Sequence, residues 1–479
     1  MPTPWIVMKT NLKDQNSSME GIKPVKVMEV EISCSLPVIS SLNKAGSESY
    51  GSAIILARLH NEPLGLIKID LEEVELPAQE LANLIWDRFE LRINRHLKKD
   101  GLQPVESLTP EGISFSPDAK CVAYGSELLA DAPLISIVLA TRERVQSLAL
   151  ALDSIANLEY PKFELVLVDS APRTSQTQDF YALNKARFAA KNICLSYVRT
   201  DVPGLAVAHN RGLEIARGSV IAFTDDDVLV DKYWLIELLR GFKLAPNVGC
   251  VTGLVIPMEL ETPAQVLFEE FGGFTKGFDP QIYDMDGHRP QNVLYPYTAG
   301  RFGTGANMAF SAGYLQKAGG FDPALGVGTP TLGADDMAAF FGVIKDGYQL
   351  VYQPSAVVMH RHRRTYEELT RQIFGYGSGL TAFLAKCILD DPVSMFTIAS
   401  KMPAGIRYAF GSDSNKNQHK SGSYPKELER IERRGMLYGP VAYIKSSLRY
   451  RRQKWHKPDV QGESTALPAT GADSVKTER

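Results

Sequence analysis

From Leu134 onward, short apolar and β-branched runs alternate with stretches in which apolar residues recur every three or four positions. The first pattern marks strands buried on both faces, and the second marks amphipathic helices. It predicts strands over 135–140, 163–168, 193–198 and 220–223, with helices over 144–156, 176–190, 204–216 and 233–242. Repeated βα units of this kind form a parallel, doubly wound sheet covered on both faces. Further strands at 248–256, 305–310 and 351–359 and helices at 313–318, 335–346 and 367–384 extend the pattern. Between them, 271–303 is glycine-rich and aromatic with little period, which suits loops over a binding cleft.

The segments on either side follow a different rhythm. Residues 1–30 show no clear period, and 53–59 and 64–71 predict two strands joined through Asn61-Glu62-Pro63. Over 78–98, Leu81, Leu84, Ile85, Phe89, Ile93 and Leu97 fall at helical spacing. A linker rich in Pro, Gly and Ser follows over 101–133. Gly375, Gly377 and Gly379 leave room for another segment to approach the last predicted helix. Beyond it, 381–396 is apolar but broken by Asp390, Asp391 and Pro392. Residues 412–425 are polar, 448–457 are basic with interleaved aromatics, and a polar tail ends the chain. The expected organisation is an α+β preface and linker (1–130), an α/β domain (131–380) and a helical C-terminal extension with a polar tail (381–479).

Composition adds exclusions. The 479 residues are 44% hydrophobic and 22% charged, as in ordinary globular proteins. A formal net charge of -3 gives no sign of nucleic-acid binding by the whole chain. Five scattered cysteines suggest neither a disulfide framework nor a Cys-based metal site. No signal peptide is recognisable, and no apolar run has the length a bilayer requires. A cytoplasmic protein is expected, with the inner face of a membrane as an alternative site through peripheral contact of the basic C-terminal segment.

The candidate chemistry lies at predicted strand ends. The run Val220-Ile-Ala-Phe-Thr stops at Asp225, Asp226 and Asp227, so a strand delivers three carboxylates to the edge where open α/β sheets bind ligands. A divalent cation would relieve their repulsion, although a solvated turn capping the next helix is an equal reading. Asp169 ends another strand, and Thr141 ends the first, where it can cap the following helix. Asp335 and Asp336 stand at a predicted helix start behind glycine-rich approaches. His360-Arg-His-Arg-Arg364 supplies an imidazole and guanidinium clamps for a diphosphate, or is simply a basic loop. No dinucleotide-binding glycine turn or Walker-type loop is present.

Taken in order, eight segments resemble glycosyltransferase family 2, the nucleotide-sugar transferases of GT-A fold. They are Ile135-Ser-Ile-Val-Leu-Ala-Thr-Arg-Glu-Arg144, Leu165-Val-Leu-Val-Asp-Ser170, Gly204-Leu-Ala-Val-Ala-His-Asn-Arg-Gly212, Ile221-Ala-Phe-Thr-Asp-Asp-Asp227, Gly305-Ala-Asn-Met308, Gly319-Gly-Phe-Asp322, Gly333-Ala-Asp-Asp336 and His360. The resemblance implies a GT-A type, doubly wound, mostly parallel sheet. It places Thr141 and Glu143 by the nucleoside, Asp169 on the base and Arg211 near ribose or phosphate. Asp225 and Asp227 become the metal site with His360, for Mn2+ or Mg2+, while Arg363 and Arg364 assist the diphosphate. Asp336 matches the general base, and Asp335 stands where the family has glutamate. Asp226, pointing away, is expected to tolerate change. The implied activity is inverting transfer from a nucleoside-diphosphate sugar, most often a UDP-sugar, to a glycan, lipid or small-molecule acceptor hydroxyl. A phosphatase of the haloacid dehalogenase type and an inactive nucleotide-sugar-binding protein are the competing readings.

Overall fold

In this computed structural model the described residues are 21–452, apart from 44–48, 72–73, 115, 118, 412–413, 415, 418–419 and 421–423. Most of the expected lead-in, much of the polar stretch at 412–425, the basic segment beyond 452 and the tail therefore lie outside the described residues.

The preface contains β1 (Val25–Glu31), β2 (Ile39–Ser40), β3 (Ser52–Leu59), β4 (Glu62–Asp70), β5 (Glu75–Leu76) and α1 (Ala78–Lys99). Strands β1, β3 and β4 form one sheet, and β2 pairs with β5. Leu81, Ile85, Phe89, Ile93 and Leu97 of α1 share one core with this sheet. The β3–β4 turn is tighter than expected. His60 and Asn61 are both left-handed, with φ of 51° and 67°, so two residues close the hairpin and Glu62 and Pro63 already belong to β4. The expected linker also holds a helix, α2 (Lys120–Ala130). It was missed because the surrounding stretch, rich in Pro, Gly and Ser, reads as linker.

The main unit runs β6 (Ile135–Thr141), α3 (Val145–Ile155), β7 (Phe163–Ser170), α4 (Gln176–Ala190), β8 (Cys194–Thr200), α5 (Leu205–Leu213), β9 (Val220–Asp225), β10 (Val228–Val230), α6 (Trp234–Phe242) and β11 (Val248–Pro257). It continues through α7 (Pro263–Phe271), β12 (Gln281–Tyr283), β13 (Met308–Ser311), α8 (Ala312–Ala318), α9 (Asp335–Lys345) and β14 (Gln349–His360). Helix α7 went unpredicted, although Thr262 and Gln265 form a capping box around Pro263 at its first turn. One nine-stranded sheet results, in the order β10-β14-β11-β13-β9-β6-β7-β8, with β12 also paired to β14. Strands β6 to β9 are mutually parallel, β13 runs against β9 and β11, and β14 is parallel to β11. The expected mostly parallel, doubly wound sheet is therefore present. Side chains of α3, α4 and α6 pack on one face, and those of α5, α8 and α9 on the other.

Helices α10 (Tyr366–Asp390), α11 (Ser394–Phe410) and α12 (Lys426–Arg452) complete the chain, and α10 runs unbroken through residue 380. The glycines of α10 serve the close approach that their spacing suggested. A Cβ at Gly377 would overlap the Glu432 carbonyl of α12, and in the other direction one at Gly435 would overlap the Phe374 carbonyl of α10. Thr381 then donates across the pair to the Met436 carbonyl at 2.7 Å. Gly377→Ala should therefore overpack the helix pair and lower stability by about 1–3 kcal/mol. Gly405→Ala, whose Cβ would meet only Leu294 at 3.9 Å, should not lower it, as denaturant midpoints would show.

Candidate active site

Parallel register brings three polar strand ends to one edge. Thr141 pairs with Asp169, and Ala140 with Asp225, so β6, β7 and β9 all finish there. Strand β9 stops at Asp225 because the chain turns at Asp226 and Asp227 and returns as β10. Antiparallel pairing then sets Val228 against His360, and the Arg361 N–H donates to the Asp227 carbonyl at 2.9 Å. A residue far along the chain is thereby fixed beside the triplet.

Asp225, Asp227 and His360 each offer a ligand atom, and these atoms lie within 4.8 Å of one another. His360 Nε2 is 3.4 Å from Asp227 Oδ1. Burial pushes the His360 imidazole down to about 4, so it is neutral at pH 7 with a lone pair to offer. Its Nδ1 lies 3.3 Å from His362 Nδ1, and His362 Nε2 is 2.7 Å from Glu269 Oε1. Burial would raise Asp227, but its cationic neighbours outweigh that and hold it below the ordinary aspartate value. At neutral pH those cations are Arg144 at 2.9 Å and Arg363 at 3.3 Å. On Asp225 the pull of Arg144 is outweighed. Burial, then Asp227, Asp226 and Asp335, push its carboxyl up to about 8.

Asp226 corrects the expectation of tolerance. It points away from the other two, but into the protein, where it accepts from Thr141 Oγ1 at 2.6 Å and Arg144 Nη1 at 2.6 Å. Burial pushes it up to about 6, against the pull of Arg144. Thr141 is thus spent on Asp226 and does not cap α3, which begins without a side-chain cap.

The second acidic group approaches from α9. Ala334 is left-handed at φ 77°, and Asp335 and Asp336 follow as the first helical residues. Asp336 accepts from the Met337 and Gly305 N–H groups at 2.7 and 2.9 Å, which aim its carboxylate. Burial raises its pKa against those bonds. Burial and then Asp336 push Asp335 up to about 7. His209 stands 3.9 Å from Asp335 among Phe223 and Phe321, and burial drives it down to about 3. Lys276, on the loop after α7, faces Asp336, and burial lowers it to about 8.

The remaining predicted residues divide. Asp169 is buried at the same edge and accepts from Tyr197 Oη at 2.8 Å. Glu143 is left-handed at φ 55° and accepts from the Arg173 and Thr174 N–H groups at 2.7 and 3.0 Å, so it braces the loop after β7. Among the described residues Arg211 forms its ion pair with Glu214 and with none of the site carboxylates. Arg364 pairs instead with Glu259. Arg144, His209, Lys276 and His362 went unassigned in the sequence, where only the motif positions of Arg144 and His209 and the basic cluster around His362 hinted at them.

The glycosyl transferase family 2 model matches residues 136–312, which span β6 through the start of α8 and include the acidic triplet. Those residues form a family 2 glycosyltransferase domain, and the protein is a glycosyltransferase. A glucosyl-dolichyl phosphate glucuronosyltransferase of Haloferax volcanii is 22% identical over 266 residues, 54% of this chain and 80% of that one. A pre-mycofactocin glycosyltransferase of Mycobacterium tuberculosis is 28% identical over 178 residues, so this glycosyltransferase spans only 34% of that relative's length. A mannosyltransferase of Pyrobaculum calidifontis, solved with GDP-Man and Mn2+, aligns over 67% of this chain and 88% of its own, at 19% identity and a TM-score of 0.40. With a transferase domain matched across these strands, the phosphatase reading falls.

The raised values of Asp225 and Asp335 give a signed prediction for this glycosyltransferase. Both exceed the ordinary 3.8, so the stability linked to their protonated forms is present below about pH 4 and is lost as pH rises through 7 to 8. In EDTA, thermal midpoints of Asp225→Asn should gain on the parent across that interval. A constant difference from pH 5 to 9 would contradict the assignment.

Proposed function

We propose that this glycosyltransferase moves a sugar, with inversion, from a nucleoside-diphosphate sugar to an acceptor hydroxyl, using a divalent cation. A UDP-sugar donor follows from the family resemblance. The observation that carries the reading is the pairing of two unlike acidic groups at one sheet edge. One is flanked by a neutral imidazole and two guanidinium groups, and the other is aimed by backbone N–H groups.

Asp225, Asp227 and His360 would hold the cation, and two carboxylates with one neutral imidazole suit Mn2+, with Mg2+ as the alternative. Bound there, the cation would neutralise the leaving diphosphate. Arg144 and Arg363 are placed to add positive charge on the same side. Thr141, Glu143 and Asp169 are assigned to the nucleoside side, as the family resemblance implies. Asp336 is assigned as the base that takes the acceptor proton, with Asp335 beside it favouring one shared proton at neutral pH. The donor functions are assigned to 131–380, with 1–130 as preface and 381–479 as extension. A cytoplasmic setting, expected from the scattered cysteines, is kept in this reading. Asp336→Asn should abolish transfer yet retain metal-dependent donor binding, while Asp227→Ala should weaken UDP binding only when Mn2+ is present. Parent-rate turnover by the first variant, or an equal loss in EDTA for the second, would overturn those roles.

The acceptor is proposed to lie at an anionic membrane surface. Among the described residues no helix is long and apolar enough to cross a bilayer. Helix α12 nevertheless exposes Leu437, Val441, Ile444 and Leu448 along one stripe. Between Arg433 and Arg452 it carries six Lys or Arg residues and no Asp or Glu. The glucuronosyltransferase relative, named for a dolichyl phosphate substrate, is in keeping with such an acceptor. The protein should co-sediment with phosphatidylserine-containing vesicles and not with neutral ones, and Ile444→Glu should reduce this at least several-fold. Equal recovery with both vesicle types would exclude it.

A further inference from the structure

Four side chains outside the transferase site converge in the preface. His60 comes from the β3–β4 turn, His96 and Asp100 from the end of α1 at i, i+4, and Cys121 from the first turn of α2. All four are buried, at 5%, 7%, 3% and 8% exposure. Their ligand atoms define all six edges of a tetrahedron. Asp100 Oδ2 is 2.8 Å from Cys121 Sγ, 3.2 Å from His60 Nδ1 and 3.0 Å from His96 Nε2. The two imidazole nitrogens are 3.1 Å apart, and Cys121 Sγ lies 3.9 Å from His60 Nδ1 and 4.0 Å from His96 Nε2. Metal–ligand bonds of about 2.0–2.3 Å require edges of about 3.3–3.8 Å, so shifts of a few tenths of an ångström would seat an ion at the centre.

We propose that His60, His96, Asp100 and Cys121 form a structural zinc site, separate from the transferase centre and independent of its assignment. One thiolate, two imidazoles and one carboxylate are a donor set that selects zinc, and four protein ligands leave no open position for chemistry. The charge also closes. A thiolate and a carboxylate neutralise the dication, so no net charge is buried, and the thiol proton passes to solvent on binding. The surroundings orient the ligands as well. Glu62 Oε2 lies 3.3 Å from His96 Nδ1, leaving Nε2 for the metal. Glu31 accepts from the His60 and Asn61 N–H groups at 3.0 and 2.8 Å, which holds the left-handed turn that presents His60.

The position explains what such an ion would do. Arg240 of α6 donates to the Cys121 carbonyl at 3.1 Å and lies over the Tyr124 ring at 5.2 Å. Arg58, two residues before His60, binds Asp231 just after β10 at 2.7 Å. A metal joining the hairpin, α1 and α2 would therefore clip the preface to the transferase domain near the strand that follows the acidic triplet.

The full-length protein, grown with zinc and dialysed exhaustively, should retain about one zinc per chain, and its thermal midpoint should fall when a strong chelator removes the metal. Asp227→Ala should keep this zinc, while Cys121→Ser should lose it. Refolded with Co2+, the parent should show the near-ultraviolet thiolate-to-cobalt band and Cys121→Ser should not. Zinc-edge absorption on the parent alone decides the matter even if the variant does not fold. One sulfur with three nitrogen or oxygen neighbours supports the site, whereas absence of stoichiometric zinc or a sulfur-free shell overturns it.

Discussion

Mutual repulsion among carboxylates at the edge of the central sheet is the constraint on which the site depends. Asp225, Asp226 and Asp227 are consecutive, and Asp335 adds its field to theirs. The protein relieves this unevenly. Arg144 bridges Asp226 and Asp227, Arg363 reaches Asp227, and Thr141 donates to Asp226, while Asp225 keeps its raised pKa. Uneven relief separates the roles. One carboxylate stays ionised beside a neutral imidazole, one is committed to internal bonds, and one retains a strain that a bound cation would remove.

The sheet makes that unevenness possible. Parallel pairing of β6, β7 and β9 aligns their polar ends, and the antiparallel return of β10 on β14 carries His360 to Asp227. Behind it, the left-handed Ala334 turns Asp335 and Asp336 toward the same edge. That turn is backed by α10, where a Cβ at Gly379 would lie 3.3 Å from the Ala334 Cβ. The helix pair is thus joined to the acidic edge by direct packing. The preface is also tied in by charge, since Arg58 holds both Glu29 and Asp231.

At the site, where sequence and structure part, a long-range contact is a recurring cause. Hydrophobic period placed nearly every element of the main unit, because buried strands and amphipathic helices write their environment into the chain. Helix α2 escaped because its stretch reads as linker, and it buries only Cys121 and Gly125 among its residues. Thr141 read as a cap because capping is a local rule, yet a carboxylate 85 residues away claimed its hydroxyl. Arg211 read as a ligand for ribose or phosphate, and in the structure it pairs with Glu214 on its own side of α5. Scattered cysteines gave no metal spacing, since Cys121 meets His60 and His96 only after the preface folds.

By itself the sequence determined the alternation of strands and helices, the position of the acidic triplet at a strand end and the resemblance to a nucleotide-sugar transferase. These are properties of neighbouring residues, and local periodicity and short motifs are sufficient to specify them. Only the tertiary structure decided which carboxylate faces which partner. Register between β10 and β14, the fold-back of α9 and the convergence of α1 and α2 on a hairpin turn each join residues that no spacing along the chain brings together. The charge state of every acid in the site follows from those junctions, because desolvation and the distance to an arginine belong to the packed molecule and not to the chain.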